Sequence, residues 1–461
     1  MLQIKRNLIY YDDSSFPFED LFSEEFYIYV NQQSHKYTNN TIYVNEIYNS
    51  FILPYLALKY YIEKNNIIKI DCSRADFHIK SLCIDLYSNF NHIRVIGNIS
   101  PITKTLNKLK VLLLPLLSAI YLIYKLVLIP YKTSNFNKTI AVIRTKSGKS
   151  KMRNFDIPIE FEDYNRKTSI YRLTSISKRI KWILISYIQS FKEINVIDRI
   201  VKNYIGNNSS NLVTLYYSKR VVHTLLYYKT INNLFCKNSF DIFYTTNNLD
   251  RFSVIEEKLA KEYNIKSICI PHGLEYGFKL PKGFSCDLHY TNTLYAADYL
   301  NKLYETDKFV YDENIAVKMF KSNTTKKSNK GRVVYFSEPR EVYVNQIIIE
   351  ELSSLLKDKG IELFLKLHPK DKISDYEKYG LTIMTDLDDA LSGNICISRK
   401  STTLLEATYN DSVAAAILLN AKDKSMFYTF PSLQSERINV TNSIPELFNW
   451  IVNKYEIFIQ A

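Results

Sequence analysis

The chain has 461 residues, 46% of them hydrophobic and 14% aromatic, a composition that excludes a disordered or fibrous protein and predicts two or three globular domains. The formal net charge is +13, and only ten residues are glycine, about a third of the usual share, which argues against glycine-rich phosphate loops. Six scattered cysteines form neither a C-x-x-C pair nor a zinc-finger spacing, so we expect free thiols in a reducing compartment and no resident metal. The first twelve residues lack the apolar core of a signal peptide, and we therefore expect a cytoplasmic protein.

Short apolar runs alternate with polar turns over the first hundred residues. The runs at 26–30, 67–71 and 92–97 have the composition of strands, and 51–64 has that of a helix. We expect this part of the chain to mix strands with helices.

The excess charge is concentrated in one segment, 86–155, which contains twelve bases and no acid. Its apolar run, 111–131, reaches the length of a membrane-spanning helix only by including Lys125 and two prolines. Three structures fit such a run: a helix in the membrane interface with the bases near anionic headgroups, a spanning helix, or a buried core helix. We expect the interfacial helix, and not a nucleic-acid site, because the bases surround a lipid-like run instead of alternating with aromatic residues.

Helical spacing dominates 169–204 and 210–235, and a regular alternation of strands and helices follows. A polar stretch at 321–332 has the composition of a linker, and the alternation then resumes. Alternation of this kind predicts parallel sheets. We therefore predict an α/β protein with two doubly wound Rossmann-like domains that face a cleft: 1–320 with a membrane-associating insertion at 86–155, and 333–461. The predicted strands of the two alternating parts are 241–246, 267–271, 286–291, 333–339, 362–369, 381–385, 394–398 and 413–419, and the predicted helices are 251–263, 293–304, 346–357, 401–409 and 445–455.

A loop rich in glycine and proline follows the predicted strand 267–271. Three of the ten glycines lie at 271–283, among them Gly273 and Gly277, where the absence of a side chain lets a ligand approach the backbone closely. His272 and Glu275 lie in the same loop, and either side chain suits a general base. A tight turn in which the histidine only caps a helix fits the same residues.

The motif KLHPKD at 366–371 ends another predicted strand. Pro369 stops the strand, so that His368 is expected to project from its end beside Lys366. These cationic groups suit an anion such as a nucleotide phosphate, although an ordinary surface turn has the same composition.

The motif SRKSTTLLE at 398–406 lies between a predicted strand and a helix. Ser401 or Thr402 is a suitable N-cap, and hydroxyls at a helix start reinforced by Arg399 and Lys400 predict a phosphate site. A simply capped helix without a ligand is the alternative.

Ligands bind at the carboxyl ends of parallel strands, where all three motifs are placed. In this order, an HG loop, a linker, a strand with S-x-P, an HP pair and S-T at a helix start, the chain resembles bacterial GT-B glycosyltransferases that use CMP- or CDP-activated donors. These include polysialyltransferases, lipooligosaccharide sialyltransferases and capsule Kdo transferases, together with the related CDP-glycerol polyol phosphotransferases. The resemblance covers about 241–412 and lies in motif order, not in residue identity.

The resemblance implies that His368 contacts the phosphate of CMP and that Ser401 and Thr402 cradle it. Ser337 and Glu338, from the S-x-P motif, would lie beside the donor, with Lys366 nearby. No cofactor or metal is implied.

His272 matches the histidine that the polyol phosphotransferases use as base. The acid-acid-Gly motif of the sialyltransferases is absent, and Glu275 is the nearest substitute, so the base is either His272 or Glu275. The serine motif of the polyol enzymes, with an acid before its serines, is also absent.

The resemblance implies an inverting glycosyltransferase of cell-surface polysaccharide or lipooligosaccharide synthesis, and the basic, apolar segment predicts that it is peripheral on the inner face of the cytoplasmic membrane. Its donor would be a CMP-activated acidic sugar such as sialic acid, and its acceptor a glycan or glycolipid. A CDP-glycerol or CDP-ribitol polyol phosphotransferase and a non-catalytic membrane-associated scaffold are the alternatives.

Overall fold

A computed structural model describes residues 1–12, 14–37, 41–90, 92–133, 136–322, 331–339 and 341–460. Most of the predicted linker at 321–332 falls outside these residues. The chain divides into two compact units. Unit 1 comprises Met1–Lys149, Asp156–His272 and Phe278–His289, and unit 2 comprises Ser150–Phe155, Gly273–Gly277 and Tyr290–Ala461.

The first sheet of unit 1 has the strand order β3-β2-β1-β4-β5, in which β1 is antiparallel to β2 and parallel to β4. The predicted helix at 51–64 and the strands at 67–71 and 92–97 are confirmed as α3, β4 and β5. The predicted strand at 26–30 is wrong, because Phe26 and Val30 are buried one helical turn apart in α1. The elements are β1 Leu2–Arg6, β2 Leu8–Tyr11, β3 Ser14–Pro17, α1 Glu24–Gln33, α2 Val44–Ile47, a π-helical turn Tyr48–Ile52, α3 Leu53–Lys64, β4 Lys69–Ala75, α4 Phe77–Asn89 and β5 Arg94–Ile96.

The second sheet has the order β11-β10-β9-β8-β6-β7, with parallel pairing between β7, β6, β8, β9 and β10. Strand β6 lies inside the acid-free segment, so that this segment supplies a central strand in addition to a helix. The chain reverses its direction of winding between the neighbours β6 and β8, the position where doubly wound sheets bind ligands. The elements are α5 Pro101–Val127, β6 Thr139–Ile143, α6 Lys146–Met152, β7 Ile159–Phe161, α7 Ile176–Tyr204, α8 Asn207–Ser218, α9 Val221–Lys237, β8 Ile242–Thr245, α10 Arg251–Glu262, β9 Lys266–Cys269, β10 Leu288–Tyr290, α11 Leu294–Tyr304 and β11 Phe309–Val310.

The third sheet, in unit 2, is parallel throughout, with the order β14-β13-β12-β15-β16-β17 and its reversal of winding between β12 and β15. The elements are α12 Glu313–Phe320, β12 Val333–Phe336, α13 Val342–Lys357, β13 Leu363–Lys366, β14 Thr382–Ile383, α14 Leu387–Leu391, β15 Ile395–Ser398, α15 Thr403–Thr408, β16 Val413–Ile417, α16 Ala421–Thr429, β17 Ile438–Thr441 and α17 Ile444–Gln460.

Helices cover both faces of the third sheet, which explains why its strands are apolar on both sides. Along β12, Val333 and Tyr335 pack with Ile348 of α13 and Leu447 of α17. The alternate residues of the strand pack on the other face, against α15 and α16. The second and third sheets confirm the predicted α/β fold. It contains two doubly wound Rossmann-like domains, the combination that a GT-B fold has.

Candidate functional site

The carboxyl ends of β13, β12 and β15 are neighbours at one edge of the third sheet. Ser337 follows β12, His368 follows β13, and Ser401 follows β15, all within a few residues of the strand ends. The structure therefore brings the three sequence-predicted donor motifs of unit 2 to the reversal point of the sheet.

His368 is held by hydrogen bonds from two sides. The Lys370 N–H donates to Nδ1 of His368 at 3.2 Å, and the His368 N–H donates to Ser337 Oγ at 3.0 Å. Ser337 in turn donates to Asp371 Oδ2 at 2.5 Å. Because Nδ1 accepts a hydrogen bond, the single proton of a neutral His368 ring lies on Nε2. The half-buried ring thus has its Nε2–H as a donor for an anionic oxygen.

Ser401 lies directly before Thr402, the N-cap residue of the short helix α15. The Oγ of Ser401 accepts hydrogen bonds from the N–H of Thr403 at 3.3 Å and from the Thr403 hydroxyl at 2.9 Å. Its own hydroxyl hydrogen is therefore available to a ligand. The side chain of Thr402 makes no hydrogen bond to another described residue, so two adjacent hydroxyls can donate at this strand end.

Arg399 and Lys400 are not available to a phosphate, contrary to the expectation from the motif. Arg399 is fully buried and pairs with Asp423, through two contacts of 2.7 Å, and with Glu341 at 2.6 Å. Lys400 pairs with Asp423 and Glu338, and Lys422 with Glu341. This buried network balances three cations against three carboxylates. Burial opposes ionisation of Asp423, but Arg399 and Lys400 lower its pKa, so that it stays charged.

Glu338 and Lys366, two of the predicted donor residues, are also bound to their own chain. Glu338 accepts the N–H of Lys400 at 2.5 Å and fixes the backbone after β15. Lys366 donates to the carbonyl oxygen of Thr385, and burial lowers its pKa. Both residues, like Ser337, position the strand-end loops.

His272 lies at the end of β9 in unit 1, beside the ends of β8 and β6. Its Nδ1 is 2.7 Å from the carbonyl oxygen of Thr246, and its own carbonyl accepts the Ser147 hydroxyl at 2.6 Å. A carbonyl oxygen only accepts, so Nδ1 carries the proton and Nε2 of a neutral ring has a lone pair. This is the protonation state that a general base requires.

Glu275 is fully buried within unit 2. Its Oε1 accepts the N–H and Nδ2–H of Asn292 at 3.0 and 2.9 Å, and its Oε2 accepts the Ser432 hydroxyl. Burial raises the pKa of Glu275. The carboxyl group therefore organises three donors of its own unit.

The two glycines of the HG loop differ in their surroundings. Gly277 donates its N–H to the carbonyl oxygen of Thr429 at 2.7 Å, and a Cβ at this position would lie 2.9 Å from that oxygen. Its close approach is thus made by its own chain. A Cβ at Gly273 would meet nothing within 4 Å, which leaves space beside the backbone.

Sequence reasoning missed a charged cluster at the carboxyl ends of β6 and β7. Glu162 lies 3.1 Å from Arg144 Nε and 2.7 Å from His223 Nε2, and it accepts the Tyr171 hydroxyl at 3.0 Å. Burial opposes ionisation of Glu162, but His223 and Arg144 lower its pKa to about 2. Arg144 is 18 positions and His223 is 61 positions from Glu162 in the chain, so no short motif links the three residues.

Among the described residues, no group of three or more histidine, cysteine or acidic side chains is arranged to hold a metal ion. The expectation of a metal-free protein stays a prediction.

No protein-family model matches the chain, and no curated protein matches its sequence. Solved structures are similar to it at low identity. UDP-GlcNAc 2-epimerase from Neisseria meningitidis bound to UDP-GlcNAc is 10% identical, with a TM-score of 0.41, over 69% of this chain and 92% of that chain. The glycosyltransferase SnogD from Streptomyces nogalater is 9% identical, with a TM-score of 0.37, over 70% and 100% of the two chains. E. coli heptosyltransferase WaaC with ADP is 10% identical, with a TM-score of 0.34, over 69% and 99%. TM-scores this low decide neither fold nor activity, and the fold assignment rests on strand order and register.

Glu275→Ala should lower the free energy of unfolding by about 2–3 kcal/mol, because the buried donors of Asn292 and Ser432 lose their acceptor. Urea unfolding of the variant measures this loss. The exposed substitution Ile373→Ala is the control and should change the stability by less than about 0.5 kcal/mol. A Glu275→Ala protein that is as stable as the wild type but inactive would instead make Glu275 the base.

Glu162 should make stability dependent on acid pH. Its pKa in the folded protein, about 2, lies below the ordinary value of 4.5, so its contribution is complete above pH 4.5 and is lost as the pH falls toward 2. The contribution is about 3 kcal/mol. Urea unfolding at several pH values should show a smaller acid-induced loss for Glu162→Gln than for the wild type. Parallel pH profiles for the two proteins would contradict this assignment.

Proposed function

We propose that the chain is a glycosyltransferase that moves an acidic sugar from a CMP-activated donor to a glycan or glycolipid of the cell surface. The opposite protonation of His272 and His368 supports this most strongly. One ring has a lone pair at Nε2 and suits a base, whereas the other has a hydrogen at Nε2 and suits a phosphate. The order of the motifs supports the choice of a CMP-activated donor.

In the proposed reaction, His272 Nε2 accepts the proton of an acceptor hydroxyl. The hydroxyl oxygen forms a bond to the anomeric carbon as the bond from that carbon to the phosphate oxygen breaks. CMP leaves with the bonding electrons on its phosphate. The hydrogen bond from Nδ1 to the Thr246 carbonyl keeps the ring oriented and stabilises it once it is protonated.

The leaving phosphate of CMP gains negative charge as this bond breaks, and stabilisation there accelerates the reaction. His368 Nε2–H and the hydroxyls of Ser401 and Thr402 are the donors that we assign to it. The network of Arg399 and Lys400 has no net charge, so that these neutral donors, and not a free arginine, provide the contacts.

We assign the base to His272 and not to Glu275. Glu275 has no solvent-exposed surface, and both of its oxygens accept hydrogen bonds from Asn292 and Ser432. A base needs an available lone pair, and Nε2 of the half-buried His272 ring has one.

Polyol phosphate transfer from CDP-glycerol or CDP-ribitol is the second candidate. The burial of Glu275 favours it, because His272 is then the available base in this loop. The polyol phosphotransferases use the matching histidine of their HG motif as base. Both reactions release CMP, but only polyol transfer leaves a phosphodiester in the product.

The test is incubation of the purified chain with CMP-sialic acid, and separately with CDP-glycerol, in the presence of lipooligosaccharide, followed by mass spectrometry of the product. We expect the mass of a sugar without new phosphate. His272→Asn should lower turnover about 10²- to 10⁴-fold, because the asparagine amide replaces Nδ1–H but provides no base. A product with new phosphate would establish the second candidate. A wild type and a His272→Asn variant with equal turnover would exclude His272 as the base.

Variants of His368 should show which of its two ring nitrogens contributes to CMP binding. Glutamine places an N–H donor near the position of Nε2, and asparagine does not. We therefore expect His368→Asn to weaken CMP binding about 10- to 100-fold and His368→Gln to weaken it less than about threefold, as measured by calorimetry. The control is His92→Asn, at an exposed histidine of unit 1. Equal losses in the glutamine and asparagine variants would contradict a donor at Nε2.

A further inference from the structure

The helix α5 is embedded in unit 1 along one narrow side only. Ala119, Leu122 and Leu126 are buried in the same core cluster as Ile183 of α7. Arg179 of α7 fixes the end of α5, because its guanidinium donates to the carbonyl oxygens of Leu126 and Ile129. The position of α5 on the unit is therefore defined by packing and by hydrogen bonds.

The opposite side of α5 is apolar and exposed. At 27 residues the helix is about 40 Å long, and its side chains at three- and four-residue spacing form one continuous stripe. We call this stripe the outer face of α5. Its members are Leu106, Leu109, Leu113, Leu117, Ile120, Tyr124 and Val127, each at least 42% exposed. Leu184 and Ile188 add exposed apolar surface on α7, which packs beside α5.

An exposed apolar stripe that follows most of a 27-residue helix indicates a binding partner. By length and composition alone, α5 could also cross a membrane, with a mean hydropathy of 1.8 over its most apolar window. Its buried side and the bonds from Arg179 require it to stay on unit 1, however. A helix fixed in this way exposes a face to lipid and does not span the bilayer.

The charges around α5 identify the partner. Lys104, Lys108 and Lys110 lie at the start of the helix, and Lys125 and Lys132 lie at or beyond its end. No acid occurs between 86 and 155. Lysines near the ends of an apolar face reach the headgroup layer of an anionic membrane, and Tyr124 of the outer face suits the same layer.

A second copy of the chain would fit this face less well. Two outer faces packed together would bring lysines from both helices close to one another, with no acid on α5 to pair with them. We therefore propose that the outer face of α5 lies in the interface of an anionic lipid bilayer and attaches the chain to it.

Vesicle sedimentation of the full chain tests this attachment. The wild type should bind vesicles of phosphatidylcholine and phosphatidylglycerol and bind less to phosphatidylcholine alone. Leu113→Glu/Leu117→Glu should lower binding to the mixed vesicles at least about tenfold, because two exposed leucines lose their apolar contact with lipid. Ile68→Glu/Ile373→Glu is the matched control, since it adds the same charge at exposed isoleucines outside α5 and should bind like the wild type.

Lys104→Gln/Lys108→Gln/Lys110→Gln should reduce binding to the mixed vesicles and leave binding to phosphatidylcholine unchanged. Thermal melts will show whether the variants fold, which we expect because all substituted leucines are exposed. A wild type that does not bind the mixed vesicles, or a Leu113→Glu/Leu117→Glu variant that binds like the wild type, would overturn the proposal. A wild-type dimer that Leu113→Glu/Leu117→Glu converts to a monomer, without vesicle binding, would also overturn it, because a second copy would then cover the face.

Discussion

A neutral imidazole shares one proton between two nitrogens, so the backbone group that contacts Nδ1 decides what Nε2 can do. At His272 that group is the carbonyl oxygen of Thr246, which requires a hydrogen on Nδ1. At His368 it is the N–H of Lys370, which requires a lone pair. The proposed roles, a general base at His272 and a hydrogen-bond donor to the phosphate at His368, depend on these two backbone contacts. They therefore depend on the loops that make the contacts.

The loops are fixed by the sheets beneath them. In unit 2, Ser337 joins the ends of β12 and β13, since it accepts the His368 N–H and donates to Asp371. The network that contains Arg399 and Asp423 fixes the loop after β15. A buried ionic network with no net charge holds the backbone in place, and its paired cations do not bind the phosphate themselves. Loss of one member would leave an unpaired buried charge.

The sequence was informative where a local pattern decides the structure. The alternation after 240 predicted the parallel strands, and strand ends followed by His272, His368 and Ser401 marked the carboxyl edges of both doubly wound sheets. Pairing over long distances was not predictable: Glu162 contacts His223, and Arg399 forms an ion pair with Asp423, through contacts that no motif contains. The strand assigned to 26–30 failed because all five residues, FYIYV, are types that favour strands, which masks the helical spacing of Phe26 and Val30.

The protonation of the two rings is directly measurable. With ¹⁵N-labelled histidine, long-range ¹H–¹⁵N correlation spectra distinguish the two tautomers at a pH where the rings are neutral, and His272→Asn and His368→Gln each remove one set of signals and thereby assign it. We predict the Nδ1–H tautomer for His272 and the Nε2–H tautomer for His368. The same tautomer in both rings, or the reverse pair, would contradict the assignment of base and phosphate donor.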